Sequence, residues 1–150
     1  MNANGSNKPR RSSSGSIIER DLSHVIVGSF FAVYNELRYG FVESLYARAL
    51  EIALRERGLR IDREFPIVVT FRGEQIGFHR IDMLVERRVI VELKSTERLP
   101  ESARRQLRSY VTGTGLDLGI LLHFGPVPKF YRELRGRRAI RDRPDSGSFG

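Results

Sequence analysis

An α/β or α+β sandwich built on one mixed sheet is the fold class that three features of the sequence predict. Apolar residues recur at helical spacing over residues 17–37 and again over 41–57. Three β-like runs separated by short polar breaks come next. A further helical stretch then leads into residues 118–124, an unbroken apolar run that reads as a buried strand able to lie parallel to a neighbour. The order helix, helix, three strands, helix, strand gives a sheet flanked by helices.

In the first helix Ile18, Leu22, Val25, Ile26, Phe30, Val33 and Leu37 form the apolar stripe, and Tyr39-Gly40 interrupts it. The second carries Val42, Leu45, Ala49, Ile52 and Ala53, with Gly58 as its stop. Residues 64–71 are apolar and β-branched, Arg72-Gly73-Glu74 supplies a turn, and the next strand starts near Gln75. It runs to Val85, where Glu86-Arg87-Arg88 breaks it from the third run, 89–94. Pro100 suits the first position of a helix reaching about residue 112, with Glu101 favourably placed at its positive end, and Gly113 and Gly115 end it. Residues 129–134 form a last short edge strand. Residues 1–16 are too polar to pack and are expected to be a disordered basic tail, 17–140 the folded domain, and 141–150 a second disordered tail.

With 150 residues, 40% hydrophobic and 29% charged, the chain suits one domain that buries its own core. The absence of cysteine excludes disulfides, thiolate zinc sites, iron–sulfur clusters and a cysteine nucleophile, and makes a reducing cytoplasm the expected compartment. No apolar run reaches the length of a membrane span, and no signal-peptide pattern opens the chain, so membrane insertion is not expected. Net charge of +8 points to a polyanionic partner. Most of it sits at the ends: residues 1–16 hold three bases and no acid, residues 129–150 seven bases and three acids, and the body carries only +1. Phosphate-loop and nucleophile-elbow sequences are missing, which argues against nucleotide hydrolysis and serine hydrolase chemistry. His24, His79 and His123 lack metal-ligand spacing and read as structural.

The chemistry-bearing residues lie in the second hairpin, where Asp82, Glu92 and Lys94 interrupt apolar runs. If Glu86-Arg87-Arg88 forms the loop, Val85 pairs with Val89 and Asp82 falls opposite Glu92. Their Cβ atoms are then about 5 Å apart, and like charges at that position repel. A divalent cation turns the repulsion into a ligand pair. Lys94 shares the face of Glu92, about 6.8 Å along the strand, where it can orient a water or offset charge on a phosphoryl group. A two-residue loop at Arg87-Arg88 would instead pair Asp82 with Leu93 and send the acids to opposite faces. The plainer reading is then a solvated charged hairpin.

Glu43 and Tyr46 project from one side of the second helix. As a first-turn acid Glu43 offsets the macrodipole, and Tyr46 can cap the core with its hydroxyl in water. Gln106 falls between Ala103, Leu107 and Tyr110 on the side of the third helix facing the sheet, so it reads as a buried amide that needs partners. With Tyr110 four residues on, both could reach a site on the sheet. Arg104, Arg105 and Arg108 border that face and could hold phosphates, although helical arginines are more often solvated.

Gly40-Phe41-Val42-Glu43-Ser44-Leu45-Tyr46 resembles the motif that names the GxxExxY proteins, and Asp82, Glu92-Leu93-Lys94 and Gln106 through Tyr110 follow in that family's order and spacing. The resemblance runs from about Ile18 to His123. Tyr34 stands where many members have His, and Arg38 where many have Gly. The family belongs to the PD-(D/E)XK nuclease-like superfamily, so the resemblance implies an αβββαβ core with the active site on the central hairpin. It implies Glu43, Asp82 and Glu92 as metal ligands, Lys94 as the catalytic lysine, and Gln106 with Tyr110 as supporting site residues.

The expected function is a Mg²⁺-dependent nuclease, with Mn²⁺ as a substitute cation and DNA favoured over RNA as the partner. One alternative is a non-catalytic nucleic-acid-binding module acting through the basic ends. Another is a protein–protein adaptor.

Overall fold

The structure is a computed structural model that describes residues 11–135, with side chains from residue 19 onward. Most of the expected basic tail (1–10) and all of the expected second tail lie outside the described residues. Helix α1 spans Arg11–Leu37 and α2 Glu43–Glu56; strands β1 (Ile61–Phe71), β2 (Glu74–Val85) and β3 (Val89–Lys94) follow, then α3 (Ser102–Thr114), β4 (Leu118–His123) and β5 (Lys129–Leu134). The backbone is helical from Arg11, so α1 begins within the segment expected as a tail.

The five strands form one sheet in sequence order. β1, β2 and β3 are an antiparallel meander, β3 and β4 run parallel through the α3 crossover, and β5 returns antiparallel at the edge. This is the expected mixed α/β sheet flanked by helices, including the parallel placement of residues 118–123. Helices α1 and α2 cover one face, where Ile26, Phe30, Tyr46, Leu50 and Leu54 pack on Met83, Val85, Val91, Leu93 and Ile120. α3 covers the other with Leu107, Tyr110 and Val111 on Ile81, Ile90 and Leu121. Its approach to β4 is close: a Cβ on Gly119 would meet Leu107 Cδ1 at 2.7 Å. Helix α3 starts two residues beyond Pro100, whose carbonyl accepts from the Ala103 N–H as an entry turn.

The three-residue loop aligns Val85 with Val89, Leu84 with Ile90 and Met83 with Val91. Glu86 and Arg87 take φ of 53° to close it, a left-handed conformation that the local sequence does not advertise with glycine. Pairing between β2 and β3 ends at Met83–Val91, while β2 stays paired with β1 to the hairpin tip and β3 stays paired with β4. The sheet forks there. At the same level Glu64 has φ of 49°, and no ladder pair joins Glu64 to Asp82. Alternation flips across this point: Ile61, Met83 and Val85 face α1 and α2, whereas Phe65, Ile67 and Ile81 pack toward α3. No helix among the described residues is long and apolar enough to cross a membrane.

Candidate active site

Asp82 sits where the fork opens. Its Oδ2 accepts a 2.7 Å hydrogen bond from the Leu93 backbone N–H, so its carboxylate bridges the strands just where their ladder ends. Glu92 lies on the α3 side of β3, the side opposite buried Val91 and Leu93. Its Oε2 is buried without a hydrogen-bond partner among the described residues. Burial, and after it the Asp82 charge, push the Glu92 carboxyl up to about 9. The Asp82 charge is therefore close enough to disfavour ionisation of Glu92, although the β2–β3 ladder stops one pair short of joining the two residues.

Glu43 opens α2, and its position follows from the loop before it. Gly40 has φ of 135°, a conformation that side chains rarely adopt, and Arg38 ends α1 at φ 63°. The fully buried Tyr46 turns its hydroxyl back to the Arg38 carbonyl and accepts from the Phe41 N–H at 3.3 Å. Ser95, directly after Lys94, donates to the Phe41 carbonyl at 2.7 Å. The Gly40, Glu43, Tyr46 spacing thus sets a turn, the first helical residue and the side chain that locks them. Tyr46 is neither in water nor at the acids. Burial first and Asp82 next raise the Glu43 carboxyl, while Lys94 lowers it. All three charges share one electrostatic environment.

Tyr110 reaches the same place from α3. Burial, then Glu92, then Asp82 push its hydroxyl up to about 12, so it stays a protonated hydrogen-bond donor. His79 on β2 stacks on it, with ring centroids 4.3 Å apart and planes 20° from parallel. Sequence reasoning missed this pairing because the partners are remote in the chain. The signal available was register, since His79 lies opposite Ile67, a core residue under α3.

Other expected residues stand elsewhere. Gln106 is exposed and not a buried amide: Ala103, Leu107 and Tyr110 take the sheet-facing positions, leaving it on the outer rim. Arg104 pairs with Glu133 at 2.8 Å and lies over the Tyr131 ring, and Arg108 bonds the same carboxylate at 3.3 Å. Glu133 is buried, so these arginines hold α3 to β5. Arg105 alone of the three remains exposed without an ion pair among the described residues. Nor do three or more His, Asp or Glu side chains among the described residues form a metal-holding cluster. Asp82 and Glu92 influence each other's surroundings, and Asp82 and Lys94 both act on Glu43.

The donor chemistry suits a hard divalent cation: two carboxylates side by side, one with a buried oxygen lacking any partner. Two acids and a lysine gather at the fork of a helix-flanked mixed sheet. Residues 20–135 match the family model of the PD-(D/E)XK nuclease superfamily, and the chain belongs to that superfamily. No curated protein matches it. Among solved structures it is similar to SSO0001, with 19% identity and a TM-score of 0.49 over 61% of this chain. The match spans 50% of that protein's chain.

Proposed function

We propose that this chain is a Mg²⁺-dependent nuclease that hydrolyses phosphodiester bonds, preferring DNA to RNA and accepting Mn²⁺. The observation that carries the reading is the unpartnered, buried Oε2 of Glu92 beside Asp82. Superfamily membership supports nuclease chemistry, and the DNA preference rests on analogy within that superfamily. A narrower kinship with GxxExxY proteins rests on Gly40, Glu43 and Tyr46.

In this reading Asp82 and Glu92 hold the cation, and Glu43 adds a carboxylate at the rim. Bound Mg²⁺ supplies Lewis-acid polarisation and an acidified water. Lys94 positions that water and offsets negative charge developing on the phosphoryl oxygens. Tyr110 offers a protonated hydroxyl beside the acids, and the Leu93 N–H keeps the Asp82 carboxylate aimed. Gln106 and Arg105, both exposed on α3, contact the substrate rather than the acids.

Incubation of the purified chain with single- and double-stranded DNA and RNA, with Mg²⁺, Mn²⁺ or chelator, tests the proposal. Cleavage should need the metal and fall about 100-fold or more in Asp82→Ala and Lys94→Ala. Cleavage unchanged in both variants contradicts it.

A further inference from the structure

Beyond the kink at Glu64 and Asp82, the β1–β2 hairpin projects from the sheet with one face uncovered. Val68 pairs with Phe78 and Pro66 with Arg80, so these side chains share a face, while Ile67 and His79 turn to the opposite face under α3. On the uncovered face Val68 is 52% exposed and Phe78 57%, with exposed Pro66 and Arg80 beside them, while Phe71 at the turn continues the opposite face of β1, that of Ile67 and Val69. Isolated exposed apolar residues need no explanation, but a contiguous set on one strand pair marks a binding surface.

Several observations choose the occupant. Arg80 lies over the Phe78 ring at 5.7 Å and Arg72 over Phe71 at 4.9 Å, and neither makes an ion pair among the described residues. Against these bases the projecting part carries a single acid, Glu74. On the uncovered face a flat apolar ring flanked by an unpaired cation, Phe78 with Arg80, suits a polyanion that also presents aromatic faces. Addition of a second copy's strand along the edge is disfavoured, because β1 carries Pro66, which lacks an N–H, and the kinked Glu64. The surface also leads to the acids: Phe78 is four residues from Asp82 along β2, about 13 Å. Duplex bases are stacked on each other, so exposed rings can stack only on unpaired ones.

We infer that the uncovered face of the β1–β2 hairpin binds single-stranded nucleic acid, stacking a base on Phe78 and holding a phosphate with Arg80. The strand then enters the fork at Asp82 and Glu92, a step that rests on the nuclease reading.

Fluorescence anisotropy of the full chain in chelator, with labelled oligothymidylate and a duplex of equal length, reads binding without cleavage. The single strand should bind more tightly than the duplex. Phe78→Ala should weaken single-strand binding about 5- to 100-fold, whereas Val127→Ala at an exposed site elsewhere leaves it unchanged. Equal affinity of wild type and Phe78→Ala overturns the inference. So does sedimentation showing a dimer that Phe78→Ala converts to monomer, which assigns the face to a second copy. An inactive protein with Phe78-dependent single-strand binding refutes the nuclease reading alone, and an active one with Phe78-independent binding refutes the hairpin's role alone.

Discussion

The Leu93 N–H donates to the Asp82 carboxylate at 2.7 Å across the point where β2 and β3 part. One acid thus satisfies a backbone group that the ending ladder leaves over, and the same contact fixes it beside Glu92. Fold and site meet in this hydrogen bond.

Asp82→Ala leaves a buried N–H without its acceptor, whereas Asp82→Asn keeps one. The alanine variant should be less stable than the asparagine variant by about 1–2 kcal/mol in urea denaturation. Both should lose metal binding. Equal stability of the two would show that the hydrogen bond contributes nothing.

Glu92 sets a pH dependence. Its carboxyl is raised from 4.5 to about 9, so between those values the folded chain keeps a proton that the unfolded chain has lost. Metal-free stability therefore falls as pH rises through that window, by at most about 1.4 kcal/mol per pH unit, and levels off above it. Glu92→Gln should flatten the slope between neutral pH and the upper limit. Metal affinity should rise over the same range, since binding releases the proton.

Tyr46→Phe removes the hydroxyl that joins the Arg38 carbonyl to the Phe41 N–H. Thermal or chemical denaturation should register a loss of about 1–2 kcal/mol. Because that loop sets the start of α2, the Mn²⁺ concentration needed for half-maximal cleavage should also increase.

Arg104 and Arg105 should separate cleanly. Arg104→Ala strips buried Glu133 of its shorter ion pair and should cost about 1.5–3 kcal/mol of stability. Arg105→Ala should stay within about 0.5 kcal/mol of wild type, yet flatten the salt dependence of nucleic-acid binding by about 0.7–0.9 in log–log slope.

Much of this was legible in the chain because apolar patterning and loop length act locally. Val85 and Val89 bracketed the loop and so set a register that runs to Met83–Val91, one pair short of Asp82 and Glu92. The unbroken run at 118–123 announced a strand buried on both faces. Other features depend on contacts remote in sequence. Glu133 reaches back to Arg104 and Arg108, and this converts a supposed phosphate-binding row into a structural clamp. Gln106 lay one helical position off the sheet-facing stripe, a rotation that spacing alone does not resolve. The flip at Glu64 was hidden because apolar residues continue on both sides of it, facing first one helix layer and then the other.

Asp82 and Glu92 are proposed as a cation site, and a crystal soaked in Mn²⁺ and read by anomalous scattering tests this. A peak between these two carboxylates that disappears in Glu92→Gln is expected. A peak elsewhere, or none at these acids in a crystal saturated with Mn²⁺, contradicts it.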